Sequence, residues 1–135
     1  MMNKNIKKYQ RGFSLLPVVL VASLIIVEVG IALTFVMYLA NSASYDVRLS
    51  QEAFFGARSG VSDAFLRIIR DKNFSSSGYN LVVGRVNVNI IVEKNSNFST
   101  ITAKGTILNR EKIMQGIVSV DQETGEATLF SLQEI

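Results

Sequence analysis

The sequence contains no cysteine, no histidine and no tryptophan, and it has a single proline. Without cysteine no disulfide can stabilise a small domain. Without cysteine and histidine the chain also lacks the usual zinc ligands and the commonest general base. It has no glycine-rich phosphate loop and no compact set of carboxylates. We therefore expect no catalytic residues, no metal site and no cofactor.

Acidic residues are absent from residues 1–12, which carry Lys4, Lys7, Lys8 and Arg11, and from Phe13 to Ala40 the only formal charge is Glu28. A helix of this length would measure about 42 Å, more than the roughly 30 Å of a hydrocarbon core. Basic residues on the short flank place the N-terminus in the cytoplasm. The pattern predicts a single-pass membrane helix over 13–40 with an extracytoplasmic C-terminal part.

A cleaved secretory signal peptide is the alternative, because Ala40 and Ala43 offer small residues after the apolar run. Signal-peptide cores, however, usually span only about 7–15 residues. The length of the apolar segment therefore favours a membrane helix.

The junction between the basic leader and the apolar segment has the sequence Gly12-Phe13-Ser14-Leu15-Leu16. This motif resembles the type IV pilin superfamily, which includes type II secretion and competence pseudopilins. The resemblance implies that a prepilin peptidase and methyltransferase cuts between Gly12 and Phe13 and methylates Phe13. It also implies two further partners: other pilin or pseudopilin subunits, and an inner-membrane assembly platform.

Pro17 departs from the family pattern, since the resemblance implies a glutamate at this fifth mature position that neutralises a neighbouring N-terminus. Subunits that cap a filament often lack that glutamate; alternatively, Pro17 only marks the start of a helix, where proline is tolerated. Glu28 lies in the middle of the apolar segment, at a cost of roughly 2.5–3.5 kcal/mol. It either replaces the missing glutamate in assembly, or is a neutral acid hydrogen-bonded within its own helix, or lies at a locally hydrated depth.

The helix is predicted to continue as an amphipathic segment over 41–72, because apolar residues recur there at three- and four-residue steps. Gly56 and Gly60 within it indicate local bending or close packing of a strand. The predicted packing face comprises Val47, Phe54, Val61, Phe65 and Ile68.

From residue 73 onward the pattern predicts a small antiparallel β-sheet head. Asp71 to Tyr79 is expected to form a loop, followed by a possible short strand over 80–83. Alternating residues predict strands over 85–93, 99–108 and 111–120, with a further strand from Ala127 to Leu132 and turns at 94–97 and Asn109-Arg110. The amphipathic helix is the only available cover for one face of this sheet, so the predicted fold is α+β. The resemblance implies that this fold is pilin-like.

The chain carries 14 basic and 11 acidic side chains, and four of the basic ones lie in the leader. Cleavage would leave ten basic residues and a net charge of −1. Arg67, Arg70 and Lys72 cluster where the helix dipole favours cations. Nucleic-acid binding is therefore not expected.

These observations predict a type IV pilin-like filament subunit of the minor or tip type, which primes or caps assembly. It would be stored in the inner membrane and then enter a cell-surface or periplasmic filament. Two alternatives remain open: a pseudopilin of a type II secretion or DNA-uptake machine, and an uncleaved single-pass anchor with a small extracytoplasmic binding domain.

Overall fold

The computed structural model of the chain describes residues 15–135. One long helix is followed by five strands, and the strands form one antiparallel sheet in the order β1-β2-β3-β4-β5. This confirms the predicted α+β class, and the arrangement is consistent with a pilin-like fold. The elements are α1 (Leu15–Arg70), β1 (Ser76–Val83), β2 (Val86–Lys94), β3 (Phe98–Ile107), β4 (Arg110–Val120) and β5 (Ala127–Glu134).

The chain divides into two compact units, Met1–Ser44 and Tyr45–Ile135. The described part of the first unit consists of the N-terminal portion of α1. The second unit contains the rest of α1 and the whole sheet. The helix ends at Arg70, with Arg67 and Arg70 in its last turn, where their charges complement the helix dipole.

The core of the second unit lies between α1 and the inner face of the sheet. The side chains of β2, β3 and β4 alternate between buried and accessible positions, as a sheet covered on one face requires. The buried helix residues are Leu49, Ala53, Gly56, Ala57, Gly60, Val61, Ala64 and Ile68. The sheet contributes Val86, Val88, Ile90, Val92, Ile101, Ala103, Ile107, Met114, Val118 and Val120.

Three glycines let the helix approach the sheet closely. A Cβ atom on Gly105 would lie 2.4 Å from the carbonyl oxygen of Ala53 and 2.9 Å from the amide nitrogen of Ala57. A Cβ atom on Gly56 would meet Val86, and one on Gly60 would meet Val88. Of the two roles expected for Gly56 and Gly60, close packing against strands is therefore the one observed.

The structure corrects the predicted helix face at Val47, which is 58% exposed. Val61 and Ile68 are buried, while Phe54 and Phe65 are partly buried against the core. The buried stripe is made mostly of alanine and glycine, because the closest contacts leave no room for larger side chains. This stripe excludes Val47 and begins at Leu49.

Two further corrections concern the sheet. Residues 76–79 were expected in a loop, but β1 begins at Ser76 and Tyr79 pairs with Ile90, since backbone pairing outweighs the turn preference of serine and glycine. A bulge between Ser76 and Tyr79 accommodates Gly78 at φ +148°. The hairpin turn between β3 and β4 is Leu108-Asn109, one residue earlier than predicted, because Ile107 pairs with Arg110.

Candidate membrane-spanning and assembly segment

The predicted cleavage and methylation residues, Gly12 and Phe13, lie outside the described residues. The description begins two residues later, at Leu15, with α1. Pro17 is the third residue of the described helix, so its missing amide proton removes no hydrogen bond between described residues of α1. The backbone of α1 therefore accommodates Pro17 without losing a hydrogen bond from the helix interior.

The apolar segment is exposed along its whole described length. All of its large apolar side chains from Leu15 to Leu39 are between 52% and 71% exposed. Removing apolar surface from water is favourable by about 25 cal/mol for every Å², so we expect lipid or another protein to bury this segment. The segment is long and apolar enough to cross a membrane.

Glu28 interrupts this surface and is itself exposed. On α1 its neighbours one turn away are Leu24, Ile25, Ile31 and Ala32, which are all apolar. The nearby hydroxyls are engaged elsewhere: Ser23 donates to the Leu20 carbonyl at 2.8 Å, and Thr34 donates to the Gly30 carbonyl at 2.9 Å. The structure thus places Glu28 alone on an apolar face, and it does not bring Glu28 and Pro17 together.

Within the second unit, two ion pairs attach two hairpin turns to Asp46 and Glu52, near the start of the part of α1 that belongs to this unit. Arg110, directly after the β3–β4 turn, lies 2.8 Å from Asp46. Arg85, in the β1–β2 turn, donates to both carboxylate oxygens of Glu52 at 2.8 Å, and Arg48 adds a weaker contact at 3.6 Å. Exposed pairs of this kind contribute only about 0.2–1 kcal/mol each, so they position the turns more than they stabilise the unit.

A second cluster fixes β1 to the other end of the helix. The hydroxyl of Tyr79 donates to Asp63 at 2.8 Å, and Arg67 donates to the same carboxylate oxygen at 2.9 Å. The Arg67 guanidinium lies 4.4 Å from the centre of the Tyr79 ring, and Phe74 packs edge-on against that ring at 6.3 Å. Burial, reinforced by the hydrogen bond and the negative charge of Asp63, raises the pKa of Tyr79.

Several exposed apolar residues on the second unit were not predicted. Phe55, Leu66 and Ile69 lie on the outer side of α1, and Leu129, Phe130 and Leu132 lie on the edge strand β5. Leu108 is 69% exposed at the β3–β4 turn. Its sequence signal is an apolar residue in a two-residue hairpin, a position where small or polar residues are usual.

In the described part of the chain, residues 15–135, no group of three or more His, Cys, Asp or Glu side chains is arranged to hold a metal ion. Comparison of the chain with protein families, with curated proteins and with solved structures finds no match.

Proposed function

We propose that the chain is a type IV pilin-like filament subunit of the minor or tip type. The observation that carries this proposal is one helix, α1, whose first part is apolar and exposed while its second part packs on an antiparallel sheet. The motif Gly12-Phe13-Ser14-Leu15-Leu16 stands directly before that exposed part. A prepilin peptidase would release the leader after Gly12 and methylate Phe13.

In the proposed storage state, the apolar segment spans the inner membrane with its N-terminus in the cytoplasm. In the filament, the same surface would pack against the apolar segments of other subunits. Lipid would therefore bury this surface in the membrane, and protein would bury it in the filament. The exposed isoleucine, leucine and valine side chains support both states, since neither requires hydrogen-bonding partners. Glu28 would then meet a polar group of a neighbouring subunit.

Pro17 supports a terminal position in the filament. A proline at this position supplies neither a carboxylate for a neighbouring N-terminus nor a backbone donor. A subunit that starts or caps a filament needs fewer contacts of this kind than one in the shaft. A pseudopilin of a type II secretion or DNA-uptake machine would use the same features, and the composition of the recovered filament separates the two.

An uncleaved membrane anchor is the second candidate, and Pro17 is again the residue that favours it. Sheared surface or periplasmic filaments distinguish these functions when they are probed with an antibody against residues 45–135. A filament subunit appears in the sheared fraction, and its Gly12→Val variant, blocked in cleavage, remains in the membrane. If the unaltered chain is found only in membranes under conditions in which filaments form, it is an anchor.

A further inference from the structure

The turn between β3 and β4 combines backbone strain with exposure. Leu108 has φ +49° and is the only described residue other than glycine with a positive φ. Positive φ brings the Cβ of an L-residue against its own backbone, so leucine is disfavoured there. Burial of the Leu108 side chain does not compensate for this backbone strain, because the side chain remains 69% exposed.

The β1–β2 turn provides an internal comparison. It is also a two-residue hairpin turn, and its first residue, Gly84, has φ +61°. In an antiparallel meander, the first and third turns lie at the same end of the sheet. The chain thus uses glycine at one of two equivalent turn positions and a strained leucine at the other. Folding alone does not account for Leu108, whereas a contact made by its side chain does.

The position of the turn indicates what that contact is. Arg110 follows the turn and lies 2.8 Å from Asp46, which comes six residues after the end of the apolar segment at Ala40. Six residues span at most about 20 Å whatever their conformation, and the two residues from Arg110 back to Leu108 add about 7 Å to the length of the paired side chains. The chain itself therefore limits how far this turn can lie from the point where the apolar segment of the same copy leaves the bilayer. A second copy is not required.

We infer that the Leu108-Asn109 turn is a membrane contact, with the Leu108 side chain inserted among the lipid headgroups at the outer surface of the bilayer. This inference rests on the membrane location proposed above. The headgroup region accepts both parts of the turn, since it offers partners for the Asn109 amide and cover for the Leu108 side chain. Filament entry would break the contact.

The absence of cysteine permits a direct test, because one introduced cysteine gives one labelled position. The full chain carrying Asn109→Cys is labelled with a polarity-sensitive nitrobenzoxadiazole dye. It is then reconstituted at low protein-to-lipid ratio into phosphatidylethanolamine and phosphatidylglycerol vesicles, with or without brominated acyl chains. Phe98→Cys is the matched control, since Phe98 is also exposed but begins β3, about 33 Å from the turn at 3.3 Å per residue.

A third label at Gly30→Cys reports on the apolar segment, where a new side chain has open space. We expect brominated lipid to quench the labels at positions 30 and 109 and to leave the label at 98 unaffected. Adding Leu108→Gly to the Asn109→Cys chain should remove quenching at 109. The urea midpoint should stay unchanged or rise, because glycine relieves the strain. This combination distinguishes a lost contact from a damaged fold.

The remaining outcomes overturn specific claims. An unquenched label at 109 beside a quenched label at 30 overturns the turn contact and leaves membrane insertion standing. An unquenched label at 30 overturns the membrane location itself. Equal quenching at 98 and 109, or quenching at 109 that survives Leu108→Gly, shows that Leu108 is not the anchor. If the emission of the label at 109 shifts to the blue only at high protein density, and brominated lipid does not quench it, the turn contacts a neighbouring copy instead.

Discussion

Replacing Gly105 with alanine should push the helix away from the sheet in the second unit and destabilise the fold. The new Cβ atom would lie 2.4 Å from the carbonyl oxygen of Ala53, whereas even close carbon–oxygen contacts measure about 3.3–3.6 Å. Ala57 blocks the other direction, with its amide nitrogen 2.9 Å away. Both obstacles are backbone atoms of α1, which cannot rotate aside, so the helix must move by about 1 Å.

Overpacking a core costs about 1–3 kcal/mol. We expect Gly105→Ala to reach about 3 kcal/mol, a large share of the 5–15 kcal/mol that is typical for a domain. Equilibrium urea unfolding of the full chain in detergent, followed by far-ultraviolet circular dichroism, should show a midpoint lowered by about 1.5 M for a slope near 2 kcal/mol per M.

Gly116→Ala is the matched control, because it also replaces glycine in a strand of the inner face. Its Cβ atom would meet only side-chain atoms, with Val61 Cγ1 at 3.0 Å and Leu129 Cδ1 at 3.4 Å. Those side chains can adjust, so the cost should stay below about 1 kcal/mol. Equal midpoints for the two alanine variants, or a Gly105→Ala midpoint equal to that of the unaltered chain, would refute the close approach of helix and sheet.

Four further predictions concern single side chains. Tyr79→Phe should cost about 1–2 kcal/mol by removing the hydrogen bond to Asp63. Because the pKa of Tyr79 in the folded state is raised above 10.0, the contribution of its hydroxyl to the free energy of unfolding is complete below pH 10 and is lost as pH rises further. Unfolding curves of the phenylalanine variant should not show this loss of stability. Ser99→Ala should leave the urea midpoint unchanged or raise stability by up to about 1 kcal/mol, since the buried Ser99 hydroxyl has no hydrogen-bond partner among the described residues. Leu108→Gly should raise thermal stability by up to about 1 kcal/mol through relief of strain, and a lower melting temperature would contradict that. Pro17→Glu should increase the number of subunits counted per filament by immunogold labelling, and unchanged low incorporation would show that this position does not control placement.

Periodicity in the sequence was sufficient to predict α1 and most of the strands. Three- and four-residue spacing continued to the predicted helix end near residue 71, and alternation located β2, β3 and β4 to within one residue at each end. These elements bury one face against a neighbour, so their side chains carry the pattern directly. The same reasoning failed for the first half of β1, where Ser76-Ser77-Gly78 has local turn preferences that strand pairing overrides.

Most of the helix face was predicted: Val61 and Ile68 are buried, and Gly56 and Gly60 pack closely against strands. Hydrophobic patterns select large residues, so they did not identify Ala53, which belongs to the same buried stripe. Val47 fits the apolar spacing yet lies outside that stripe. Similarly, the cluster around Asp63 depends on contacts between the helix and β1, which sequence spacing does not encode.

In the candidate site, the sequence supplied the apolar segment, Pro17 and Glu28, and the structure added how each is surrounded. The exposure of Leu108 and its positive φ could not be predicted, since the turn itself was placed one residue too late. An apolar residue in a turn becomes informative only when its backbone conformation is known. The equivalent Gly84 then provides the comparison that the sequence alone lacked.

Intact-mass and N-terminal analysis of the chain from its native membrane would show directly whether it is processed as a pilin. We expect a protein that begins at N-methylated Phe13 and has lost residues 1–12. A chain that retains its leader, in cells whose other filament subunits are processed, would contradict it and identify an uncleaved membrane anchor.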